Sequence, residues 1–135
     1  MFLKELNKEE SVCFLNLVSI FAKVDNEFAK EEKILVDEYK EELGISDKEI
    51  NVIEYDKIIE ILKNSSDRAR IIVYFELVGL ALVDGNYESQ EVDFLEQVAN
   101  ELKISRSKKI AIANYFYNFT NVYYIYRLAQ VYEPR

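Results

Sequence analysis

Apolar and polar residues follow one another along this chain with the period of helices, and no segment shows the strict alternation of a half-buried strand. The densest apolar stretch, residues 71–83, is broken only by Glu76 and Gly79. That is too continuous for a helix with one wet face, so it predicts a buried central helix over about 67–83, capped by Ser66 or Asp67. Asp84-Gly85 ends it, since Gly85 accommodates the left-handed backbone that closes a helix. The spacing of Phe94, Leu95, Val98, Ala99 and Leu102 then predicts an ordinary amphipathic helix over about 88–102.

The first half reads the same way. Asn7 followed by Glu10 is a capping-box signal opening a helix over about 8–24, apolar at Val12, Leu15, Val18, Phe21 and Ala22. The turn Asp25-Asn26-Glu27-Phe28 closes it, and a second helix follows over about 29–43, with Leu35, Tyr39 and Leu43 spaced four apart and its Lys and Glu residues forming a solvated face. Gly44 ends that helix. Ser46 with Glu49 predicts a further helix from about 47 through Leu62, with a break near Glu54. Asn64-Ser65-Ser66 divides the halves, and beyond Ser105 the pattern is helical to about 132, with a break at residues 118–121.

An offset of 59 residues superposes Ala22 on Ala81, Val24 on Val83, Asp25 on Asp84, Glu32 on Glu91, Leu43 on Leu102, Ile45 on Ile104 and Ser46 on Ser105. The expectation is a single all-α domain over 1–135, with repeats of approximately 8–63 and 67–132 packed face to face around their buried helices. The repeated pattern A-x-V-D-[NG]-x-[FY]-x-x-x-E, followed by a helix ending L-x-I-S, resembles the TerB-like family named for tellurite resistance. It fits best at Val83-Asp84-Gly85-Asn86-Tyr87 with Glu91, Leu95 and Leu102-Lys103-Ile104-Ser105; the first copy departs from it at Asn26, where the family has glycine. The resemblance implies a helical bundle of about seven helices built from two similar halves. It also implies a non-enzymatic role in metal or other stress responses, and a divalent cation held by Asp25, Glu32, Asp84 and Glu91.

Composition narrows the chemistry. A net charge of −8 repels a phosphate backbone, and the one basic cluster, residues 106–109, is short, which argues against nucleic-acid binding. Histidine is absent, as are a nucleotide-binding glycine loop and a serine-nucleophile motif. Neither a signal peptide nor a membrane span is evident, so the expected location is cytoplasmic. The lone Cys13 sits in an apolar run and reads as a buried, reduced thiol.

Three features are left with two readings each. The four acids of the turns suit calcium, magnesium or manganese, which take oxygen ligands; equally, Glu32 and Glu91 stand where a glutamate bonds back to a helix cap, and Asp25 and Asp84 can accept loop N–H groups. Glu76 either faces water or meets an Arg, Lys or Tyr hydroxyl, as a structural acid or as part of a polar site. The aromatic run of residues 115–126 holds more rings than one helix face can hide. It either covers the open side of the bundle through Phe116, Phe119, Tyr123 and Tyr126, or offers a surface to a protein partner or a second copy.

Overall fold

A computed structural model of the chain describes residues 2–24, 30–82 and 89–118, without the side chains of residues 30–32. The regular structure among the described residues is entirely helical. A 3-10 turn, Leu3–Glu5, precedes α1 (Lys8–Ala22) and α2 (Lys30–Leu43); a second such turn, Asp47–Glu49, precedes α3 (Tyr55–Lys63), α4 (Asp67–Leu82) and α5 (Ser89–Glu101). The last described helix, α6, covers residues 106–118. The chain divides into two compact units, Met1–Ile104 and Ser105–Arg135.

In the first unit α1 and α4 carry the core. Cys13, Phe14, Leu17, Val18 and Phe21 of α1 and Ile72, Val73, Leu77, Leu80 and Ala81 of α4 are buried, each large apolar side chain among them contributing roughly 1.5–3 kcal/mol of transfer free energy. Around this pair α2 adds Tyr39, α3 adds Ile58 and Leu62, and α5 adds Leu95, Val98 and Ala99. Rings knit the helices together. Phe14 meets Tyr39 edge-on at 5.2 Å, and Phe94 of α5 lies 6.1 Å from both Phe21 and Tyr55. The Tyr55 hydroxyl donates to the Glu101 carboxylate, tying the start of α3 to the end of α5.

Helix ends follow local chemistry. At α1 the Glu10 N–H donates to Asn7 Oδ1 at 2.8 Å and the Asn7 N–H to Glu10 Oε1 at 2.9 Å, the reciprocal capping box that the sequence predicts. Ser66, not Asp67, caps α4, its Oγ accepting the Ala69 N–H at 3.1 Å. α1 stops at Ala22, two residues short of its expected end.

The offset of 59 reaches into these details. α1 begins at residue 8 and α4 at 67. Gly44 (φ 66°) and Lys103 (φ 59°), also 59 apart, both take the left-handed conformation. At each the next amide reaches back to close the helix: Ile45 N–H donates to the Lys40 carbonyl at 3.1 Å and Ile104 N–H to the Ala99 carbonyl at 2.9 Å.

Past these caps the halves part. Ser105 Oγ accepts the Lys108 N–H at 3.2 Å and α6 begins at once. After Ser46 the helix expected from 47 to the break near Glu54 is reduced to one 3-10 turn, residues 50–54 carry no regular structure, and α3 starts at Tyr55, just past the expected break. The reason is Asn16, buried in α1. Its amide donates to the Asn51 carbonyl at 2.8 Å and to its own helix at Val12, while its Oδ1 accepts the Ile53 N–H at 2.9 Å. This gives two backbone groups of the 50–54 stretch a partner that helix formation would otherwise supply. The position 59 residues later is Phe75, which can do none of this.

Candidate functional site

Of the four acids in the two turns, Asp25 and Asp84 lie outside the described residues, as does the side chain of Glu32, whose backbone is in the first turn of α2. Glu91 is described. It stands in the first turn of α5 and is only 5% exposed. Among the described residues no group of three or more His, Cys, Asp or Glu side chains is placed to hold a metal ion.

A different pair of acids is brought together where the N-terminal turn crosses α2 and α4. Leu3 and Leu6 are buried, Phe2 meets Phe75 of α4 edge-on at 5.7 Å, and Arg68 of α4 donates from Nε and from a terminal nitrogen, the latter at 2.7 Å, to the Glu5 carboxylate. Under this strap lies Glu76, 5% exposed. Its carboxyl accepts the Phe2 backbone N–H, but among the described residues Oε1 has no hydrogen-bond partner, and neither does the buried Oε2 of Glu42 on α2. Burial pushes the Glu76 carboxyl above the usual carboxylate range, and the neighbouring Glu42 charge pushes it the same way. Glu76 thus neither faces water nor meets the expected side-chain partner. The Tyr39 hydroxyl is nearby but donates at 3.3 Å to the Glu76 backbone carbonyl, and burial, with Glu76 and Glu42 adding to it, drives the Tyr39 pKa far up. Glu42 also departs from expectation, being half-buried rather than on a solvated face; it borders an open groove of about 310 Å³ shared with Lys4, Leu6, Ser11 and Glu49.

Cys13 is fully buried and its thiol is pushed up to about 11, first by burial and then by Glu9 and Glu10, so it remains protonated and unreactive at neutral pH.

In the second unit α6 exposes large apolar side chains. Ile110 is 50%, Tyr115 52% and Tyr117 68% exposed, while Ile112 is buried and Phe116 half-buried. Tyr115 and Phe116 touch edge-on at 5.2 Å. Residues 106, 110, 113 and 117 recur at helical spacing, so Arg106, Ile110, Ala113 and Tyr117 form one stripe, and all four are exposed. Phe119, Tyr123 and Tyr126 lie outside the described residues. Among those described, no helix is long and apolar enough to cross a membrane.

No protein-family model, curated protein or solved structure matches this chain. The TerB-like resemblance therefore rests on the repeated motif alone. Sequence reasoning missed two residues. Asn16 carried a usable signal, a lone amide in an apolar helix with no place for it in the repeat; Glu42 carried none, because its burial depends on residues far away in the chain.

Proposed function

We propose that this chain is a non-enzymatic binding domain whose working surface is the open face of α6. The observation that supports this is the exposure of Ile110 and Tyr117 on one stripe of one helix. Tyrosine combines a large apolar ring with a polar tip and costs little conformational entropy to immobilise, which suits it to surfaces that alternate between water and a protein partner. The test is to place a photo-crosslinking benzoylphenylalanine at Tyr117, and as a control at Val52, which is 93% exposed in the other unit, and to irradiate cells making each variant. Discrete adducts are expected from position 117 and not from 52. Absence of adducts at 117 removes this reading.

A second reading keeps the TerB-like resemblance: two similar halves in a seven-helix arrangement, in the cytoplasm, with a divalent cation held by Asp25, Glu32, Asp84 and Glu91 in a metal-stress role. Its support is the offset of 59, which extends from the motif to the left-handed caps at Gly44 and Lys103, together with the burial of the Glu91 carboxyl just beyond the second acidic turn.

A further inference from the structure

We infer that the partner of the α6 face is a second copy of this chain, received on the acidic outer face of α2; this rests on the reading of α6 as the binding surface. Charge is distributed unevenly between the two units. Residues 1–104 hold 12 Lys and Arg against 24 Asp and Glu, whereas residues 105–135 hold five against one. A molecule with so acidic a first unit is repelled by phosphate-bearing surfaces, lipid or nucleic acid, and attracts its own basic segment on another molecule.

The two faces match in spacing. On α2, Ile34 is 51% exposed, and Glu38 and Glu41, four and seven residues on, share its stripe and are exposed. On α6 the order is reversed: Arg106 stands four residues before Ile110. Laid antiparallel, the two helices set Ile34 against Ile110 and Glu38 against Arg106. None of Asp37, Glu38, Glu41 and Arg106 takes part in an ion pair among the described residues. Arg106 also occupies the first turn of α6, where a cation opposes the positive end of the helix dipole. The carboxyl-terminal end of α2, negative both in side chains and in dipole, relieves that opposition.

Sedimentation equilibrium from micromolar to submillimolar protein tests the inference. The parent is expected to form dimers or longer assemblies of the 15.9 kDa chain. Arg106→Glu and Glu38→Arg should each weaken association by about tenfold or more, as like charges then face each other. An equimolar mixture of the two should recover it, because the altered α6 of one fits the altered α2 of the other. Arg106→Glu places an acid at a helix N-terminus, so its melting should not fall, and lost association cannot then be ascribed to unfolding. A parent that stays monomeric throughout, or one whose association ignores both reversals, overturns the inference. So does a monomeric parent that binds anionic vesicles. Crosslinked adducts from position 117 that are not multiples of the chain mass would overturn it while leaving α6 as the binding surface; no adducts at all would remove both.

Discussion

Glu76 shows how one residue can be misread when its surroundings come from elsewhere. In the first half the equivalent position is Leu17, fully buried, so the fold itself asks for an apolar side chain there. The sequence shows the acid but not the strap of residues 2–6 that covers it, about 70 residues away in the chain. The raised carboxyl has a defined pH signature. Its folded value lies above the unfolded value, so its contribution to stability is fully present below the ordinary carboxylate value of 4.5 and is lost as pH rises through the folded value. Glu76→Gln is expected to abolish that component of the fall in stability with pH, measured by urea unfolding across the acid-to-neutral range. At neutral pH Glu76→Leu should gain about 1–3 kcal/mol, the scale of an unsatisfied buried polar group removed. A loss of stability in Glu76→Leu would mean that the carboxyl is held by contacts stronger than its bond from Phe2.

At the scale of elements, starts and caps were legible and continuations were not. Asn7, Ser66 and Gly44 act on atoms within a few residues, and each does what its local sequence predicts. The break near Glu54 was legible and α3 starts just after it, but the absence of helix over 50–54 was not, because Asn16, which bonds this stretch, is 35 residues from Asn51 and acts only once α1 has folded beside it. The two left-handed caps give a paired prediction. At Gly44 an added Cβ would meet nothing within 4 Å, so Gly44→Ala has only a backbone cost and should lose about 1 kcal/mol. Lys103 already bears that cost, and Lys103→Gly should gain roughly 0.5–1 kcal/mol after the extra unfolded-chain entropy is counted. Opposite signs at positions 59 residues apart, with unchanged denaturant slopes, are the expected result. Equal signs would undo the structural equivalence of the two caps.

For the whole molecule, the all-helical class was legible from periodicity, and the offset of 59 recurs in the caps at Gly44 and Lys103; of the aromatic run of residues 115–126, Tyr115 and Tyr117 are exposed and the rings from Phe119 on lie outside the described residues. The acidic turns were legible only as chemistry, because spacing names the four carboxylates without saying whether they converge. Cation dependence of global stability decides this. An ion bound only to the folded state, at 100 times its Kd, adds roughly 2.7 kcal/mol, which for a chain this size raises Tm by on the order of 10 °C. The cation reading expects such a shift in calcium, magnesium or manganese relative to EDTA at constant ionic strength, and its loss in Asp84→Asn. Identical melting in EDTA and in millimolar cation removes the reading for those ions.

The strap adds a consequence in time. Arg68 and Glu5 are 63 residues apart, so their pairing closes a long loop and gains nothing until α1 and α4 are already side by side. Anchored inside by the buried Leu3 and Leu6 and at its rim by an exposed ion pair and an exposed ring, the strap is expected to close only after α1 and α4 have packed. Because the strap covers the Glu76 carboxyl, proton exchange with water there is expected to need the strap to lift. How fast it responds to a change of pH is then expected to depend on the first six residues, and truncating them should speed that response.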